Sequence, residues 1–95
     1  MNYLHRYWIK AKTFYELAWV DKFEDPNTLA ECRFYSQQIA IKKGQSEVAT
    51  LKSFIHEIIH ALDVEHKLGL THAQVYKLER ITYQFLKFNG FLRKK

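Results

Sequence analysis

At 95 residues the chain has room for one domain, and 47% hydrophobic with 16% aromatic residues makes a small core attainable. Fifteen Lys and Arg against ten Asp and Glu give +5, which leaves acidic partners open, nucleic acid among them. However, no basic stripe follows one helix face, as a DNA reader needs, and the densest basic run is Arg93-Lys94-Lys95 at the end. The single cysteine, Cys32, excludes an intramolecular disulfide and a zinc site built of several thiolates; it reads as a small buried apolar group. The opening residues lack a signal-peptide apolar stretch, and no run is long enough to span a membrane. The expectation is a cytoplasmic protein with no membrane contact.

Taken in chain order, residues 1–44 read as strands. Tyr7-Trp8-Ile9 is a candidate short strand, and the aromatic and branched run Thr13 to Val20 a longer one. Asp25-Pro26-Asn27 signals a turn. Leu29 to Tyr35 reads as a second main strand and Gln38 to Lys42 as a third, joined tightly through Ser36-Gln37. Ile39 and Ile41 share one face of that third strand.

From Ser46 the period changes. Ser46 is a candidate N-cap for a helix over 46–67, with an apolar stripe of Val48, Leu51, Ile55, Ile58, Ile59 and Leu62 and a stop at Gly69. Thr71 caps a second helix over 71–89, whose apolar side carries Val75, Leu78, Ile81 and Phe85. The Phe-rich end, Phe85 to Leu92, can pack on the chain itself or on a neighbour. The expected fold class is α+β: one domain, 1–95, with a small antiparallel sheet of about three strands followed by two long helices.

The first helix contains His56-Glu57-Ile58-Ile59-His60. Histidines four apart on a helix stand one above the other, so their ring nitrogens can meet at one tetrahedral zinc ion. Glu57 stands beside the pair, where it can take a proton from a water whose pKa the metal has lowered. Chance yields this HExxH pattern in roughly 2% of shuffled chains of this composition, so its setting matters. With Ile55 at zero and about 100° per residue, His56, His60 and Asp63 cluster beside the apolar stripe. They flank the core without joining it.

Zinc needs a third protein ligand. Glu79, nineteen residues after His60 on the second helix, is the first choice, and His66, ten residues after His56, is the alternative. In a longer HExxHxxGxxH pattern a Gly lets the third His return; here Asp63 holds that position. His72, Tyr76 and Glu79 share one face of the second helix, so His72 or Tyr76 could donate a hydrogen bond to a developing oxyanion. Asp63 could accept the N–H of a ligand histidine. His5 is isolated and reads as a surface residue. Gln38 to Lys42 is placed to serve as an edge strand along a cleft, to which an extended peptide could add.

The stretch from Ile39 to Phe88 resembles the minimal HExxH proteins of phages and prophages, grouped loosely with SprT-like or zincin-like peptidases. The resemblance rests on Ile39-Ala40-Ile41, Phe54 to Asp63, Gly69-Leu70-Thr71-His72, Tyr76 and Leu78-Glu79, about half the chain. It implies zinc at His56 and His60, Glu57 as base, and a Glu from the following helix in the manner of gluzincins. It implies a peptide or protein substrate, and the bacterial host cytoplasm if a phage encodes the chain. These 95 residues hold neither the SprT cysteine-rich ribbon nor the second lobe of full gluzincins. A catalytically silent zinc-binding interaction module is therefore the alternative expectation.

Overall fold

The local signals in the sequence become four strands and two helices among the described residues. The structure, a computed structural model, describes residues 2–92, so the basic run at 93–95 lies outside the described residues. The strands are β1 (Arg6–Lys10), β2 (Thr13–Val20), β3 (Ala30–Arg33) and β4 (Gln38–Lys42), followed by α1 (Glu47–His66) and α2 (His72–Phe88). The class is α+β, as expected.

The sheet differs from the expected three antiparallel strands in number and in pairing. Its order is β1-β2-β4-β3. β1 pairs antiparallel with β2 and β3 antiparallel with β4, but β2 and β4 run parallel, Leu17 beside Ile39 and Trp19 beside Ile41. A parallel pair needs a crossover, and residues 21–37, with β3 inside them, supply it. Ala40 carries the physical reason. Ile39, Ala40 and Ile41 are all at 0% exposure, so β4 is buried on both faces and must be central. The edge strands are therefore β1 and β3, not Gln38 to Lys42. β3 is also shorter than the expected Leu29 to Tyr35, because Phe34 to Gln37 form the turn and Gln37 takes a left-handed φ of 53°.

Each helix is bounded by its own side chains. Ser46 Oγ accepts the N–H of Ala49 at 3.1 Å. At the other end Lys67, rather than Gly69, takes the left-handed cap, and Leu68 N donates to Asp63 O at 3.0 Å. Thr71 and Gln74 form a reciprocal capping box at the start of α2.

α1 lies between the sheet and α2, and its apolar stripe is split between them. Ile58, Ala61 and Leu62 pack on Ile9, Tyr15, Leu17, Ile39 and Ile41 of the sheet. Leu51, Ile55 and Ile59 pack instead on Val75 of α2, with Leu70, Leu78, Tyr83 and Leu86 around them. Val48 is exposed. On α2 the expected apolar side is also corrected: Val75 and Leu78 face α1, whereas Ile81 and Phe85 are exposed and Leu86 packs in their place. Among the described residues no helix is long and apolar enough to cross a membrane.

Candidate metal centre

His56 and His60 lie one turn apart on α1, along its seam with α2. Their ring centroids are 4.7 Å apart, and the two Nε2 atoms 3.1 Å apart. Two imidazoles on one tetrahedral zinc, with Zn–N near 2.05 Å, place their nitrogens about 3.3 Å apart. The pair therefore has the spacing that a shared cation requires.

Glu79 approaches the same ring from α2. Its Oε1 lies 2.9 Å from Nδ1 of His56, and both side chains are largely buried, at 15% and 20% exposure. An ionised carboxylate only accepts, so Nδ1 is the donor of this bond, and in the neutral ring Nε2 keeps its lone pair. That lone pair faces His60, which must either donate its own Nε2–H or join His56 in presenting a lone pair to a cation. Glu79, expected as the third ligand, meets His56 on the ring nitrogen that does not face His60.

Burial lowers the pKa of His60, and the neighbouring His56 and His72 lower it further, against Asp63, which raises it. The neutral imidazole, the form that binds metals, is thereby favoured. Asp63 acts on His60 through its charge. Its carboxylate oxygen accepts Leu70 N at 3.0 Å, so its hydrogen bond fixes the turn between the helices rather than a ligand histidine.

Glu57 is 8% exposed, the one buried charged residue among those described. Burial is the largest cause of its raised pKa; His56 opposes the rise, and Glu31 and Glu79 add to it. A carboxyl shifted upward in this way is better matched to accepting a proton near neutral pH than an ordinary glutamate. Glu57, His56, Tyr76 and Glu79 line one cleft of about 490 Å³ together with Asn27, Thr28 and Leu29 and with Ala30, the first residue of edge strand β3; His60 is not among its lining residues.

The remaining candidates separate clearly. The Tyr76 ring is 4.9 Å from that of His56, and Tyr76 lines the cleft. The His72 ring is 5.6 Å from that of His60, and His72 is not among the residues lining the cleft. His66 does not join the pair: its Nε2 meets the Ile9 carbonyl of β1 at 3.0 Å, because α1 continues unbroken through residue 66 and carries it toward the sheet. His5 is exposed and pairs with Glu16 at 3.0 Å. Among the described residues no three His, Cys, Asp or Glu side chains are grouped to hold a metal ion.

Comparison with known protein families, curated proteins and solved structures returns no match.

Sequence reasoning missed Glu31 and Lys52. Glu31 adds to the field at Glu57 from a neighbouring strand, and Lys52 lines the cleft one helical turn before His56. Lys52 carried a signal, since its spacing places it on the His56 side of α1. Nothing in the sequence marks Glu31, because its proximity to Glu57 comes from strand order.

Proposed function

We propose that the chain is a small zinc-dependent peptidase. The observation that carries this reading is the 3.1 Å approach of His56 Nε2 to His60 Nε2, with His56 and Glu57 lining one open cleft. Zinc held there supplies a Lewis acid and lowers the pKa of a water. Glu79, whose carboxylate rests on His56 Nδ1, would be the third protein group at such an ion.

The chain's own residues then divide the work. Glu57 accepts a proton from the attacking water and passes it to the leaving amine. Its burial keeps the carboxylate from being stabilised by solvent. Tyr76, in the cleft, donates a hydrogen bond to the oxyanion that develops on the peptide carbonyl. β3 pairs only on its β4 side, so its outer edge can take an extended polypeptide as an added strand beside the cleft.

The test begins with protein purified without a histidine tag. It should contain about one zinc per chain and hydrolyse an unfolded protein. Glu57→Gln should retain the metal and lose hydrolysis by two to four orders of magnitude, on the order of the contribution of a general base. Absence of zinc removes the reading. Zinc with no hydrolysis of diverse unfolded substrates moves the protein to a silent binding module.

A further inference from the structure

The cleft does not end at Glu79. It continues into a second groove of about 470 Å³ on the surface of the two helices, and the two cavities share Lys52 and Glu79. This second groove is walled by Lys52, Arg80, Tyr83, Lys87 and Phe88. Its one carboxylate, Glu79, is already engaged with His56 at 2.9 Å. Among the described residues no acidic side chain pairs with Lys52, Arg80 or Lys87. Lys52 Nζ lies 4.8 Å from the Tyr83 ring centroid, which holds one of these charges where the cleft and the groove meet.

The opposite end of the cleft has a different charge. Beyond Thr28 it borders a third groove containing Glu24, Asp25 and Glu31 together with Lys22 and Arg33. Arg33 there is paired with Glu31 at 2.8 Å. One end therefore presents three cations without an acidic partner among the described residues, and the other a balanced or slightly acidic surface. The basic patch comes from two helices, one giving Lys52 and the other Arg80 and Lys87, so no single-helix stripe betrays it.

We infer that the groove of Lys52, Arg80 and Lys87 selects substrates with acidic side chains on one side only of the bond presented in the cleft. The inference rests on the peptidase reading and names the substrate class for it: extended polypeptides with an Asp- or Glu-rich segment on the groove side. A polypeptide is favoured over nucleic acid because the cations continue directly from the cleft that holds Glu57. Exposed charge pairs contribute little singly, so three together should give about a fivefold to tenfold preference at low salt.

The experiment uses full-length Glu57→Gln protein and fluorescently labelled unstructured peptides, read by anisotropy. One peptide carries four Glu toward its N-terminus, one four Glu toward its C-terminus, one four Lys and one only Ser and Gln. One of the two Glu peptides should bind about fivefold to tenfold tighter than the neutral peptide, the Lys peptide weaker, and the preference should fade as salt rises. Lys52→Glu with Arg80→Glu, at exposed positions, should remove the preference while the melting temperature stays close to that of the parent. Equal binding of acidic and neutral peptides overturns the inference, as does a preference that survives the charge reversals. Tighter binding of single-stranded DNA than of either acidic peptide overturns it in favour of nucleic acid. Zinc content and wild-type hydrolysis of the neutral peptide are measured alongside. Metal and turnover without charge preference reject the groove and leave the peptidase reading standing, whereas acidic-peptide binding without metal rejects the peptidase reading and the inference that rests on it.

Discussion

α1 carries three histidines, and two regions of this one helix treat them differently. At residues 56–60 the helix runs along its seam with α2, and the two rings converge with Nε2 atoms 3.1 Å apart, flanked by Glu79 and Tyr76. One and a half turns later His66 reaches the sheet instead and bonds to the Ile9 carbonyl at 3.0 Å. Near it the helix is tied down again: Glu65 accepts Tyr15 Oη at 2.9 Å and pairs with Lys10 at 3.4 Å. One end of the helix is anchored by bonds to strands, and the middle offers His56 and Glu57 to a cleft. Identical side chains on one helix thus become a candidate metal pair or a structural anchor according to which neighbour they meet.

The largest expected effect comes from removing one member of the pair. His60→Ala should lower zinc affinity by at least about a thousandfold, since a lone imidazole on this helix cannot hold the ion at physiological concentrations. His66→Ala should leave zinc affinity within about twofold and lower the melting temperature instead, because it leaves a part-buried backbone carbonyl without its partner. Titration with a competing chelator and a thermal melt read the two effects. Loss of zinc in the His66 variant would erase the distinction drawn between the two regions.

Glu79→Gln sharpens the same comparison inside the site. A direct ligand lost should cost more than about a hundredfold in zinc affinity, whereas a carboxylate that only orients His56 through Nδ1 costs about tenfold to a hundredfold. A loss in the lower range would assign Glu79 to orienting His56 and remove it as third ligand. Cobalt substituted for zinc supplies a second readout, because the visible spectrum changes in shape when a ligand is replaced and much less when only its neighbour is.

The smallest effects concern packing against α2. Leu51 is 1% exposed in the cluster with Val75, so Leu51→Ala should destabilise by about 2–5 kcal/mol. Phe85 is 60% exposed, and Phe85→Ala should fall within about 0.5 kcal/mol of the parent. Denaturant melts compare the two. Equal losses would mean that Phe85 is covered in solution, and the buried face assigned to α2 would need revision.

Much of this fold was legible in the sequence because its signals are local. Ser46 and Thr71 announce the two helix starts through side-chain oxygens that reach only three residues ahead. The turn at Ser36-Gln37 and the strand over Thr13 to Val20 are equally local. Strand order was not legible, since period two shows which faces a strand buries and says nothing about which strand lies beside it. Ala40 was the missed clue. It gives β4 an apolar residue on the second face, as a central strand needs. The apolar side of α2 failed for a related reason: Ile81 and Phe85 fit a helical period as well as Leu86 does, and only contact with α1 separates them.

By itself the sequence determined that residues 56 and 60 stand on one side of a helix with Glu57 adjacent, because helical geometry fixes the relation between positions four apart. Tertiary structure alone decided that Glu79 meets Nδ1 of His56, that His66 turns to the sheet, that β3 is the edge strand beside the cleft, and that Lys52 shares a groove with Arg80 and Lys87. These are relations between elements. They depend on how α1 is wedged between the sheet and α2, and no period within a single segment encodes that.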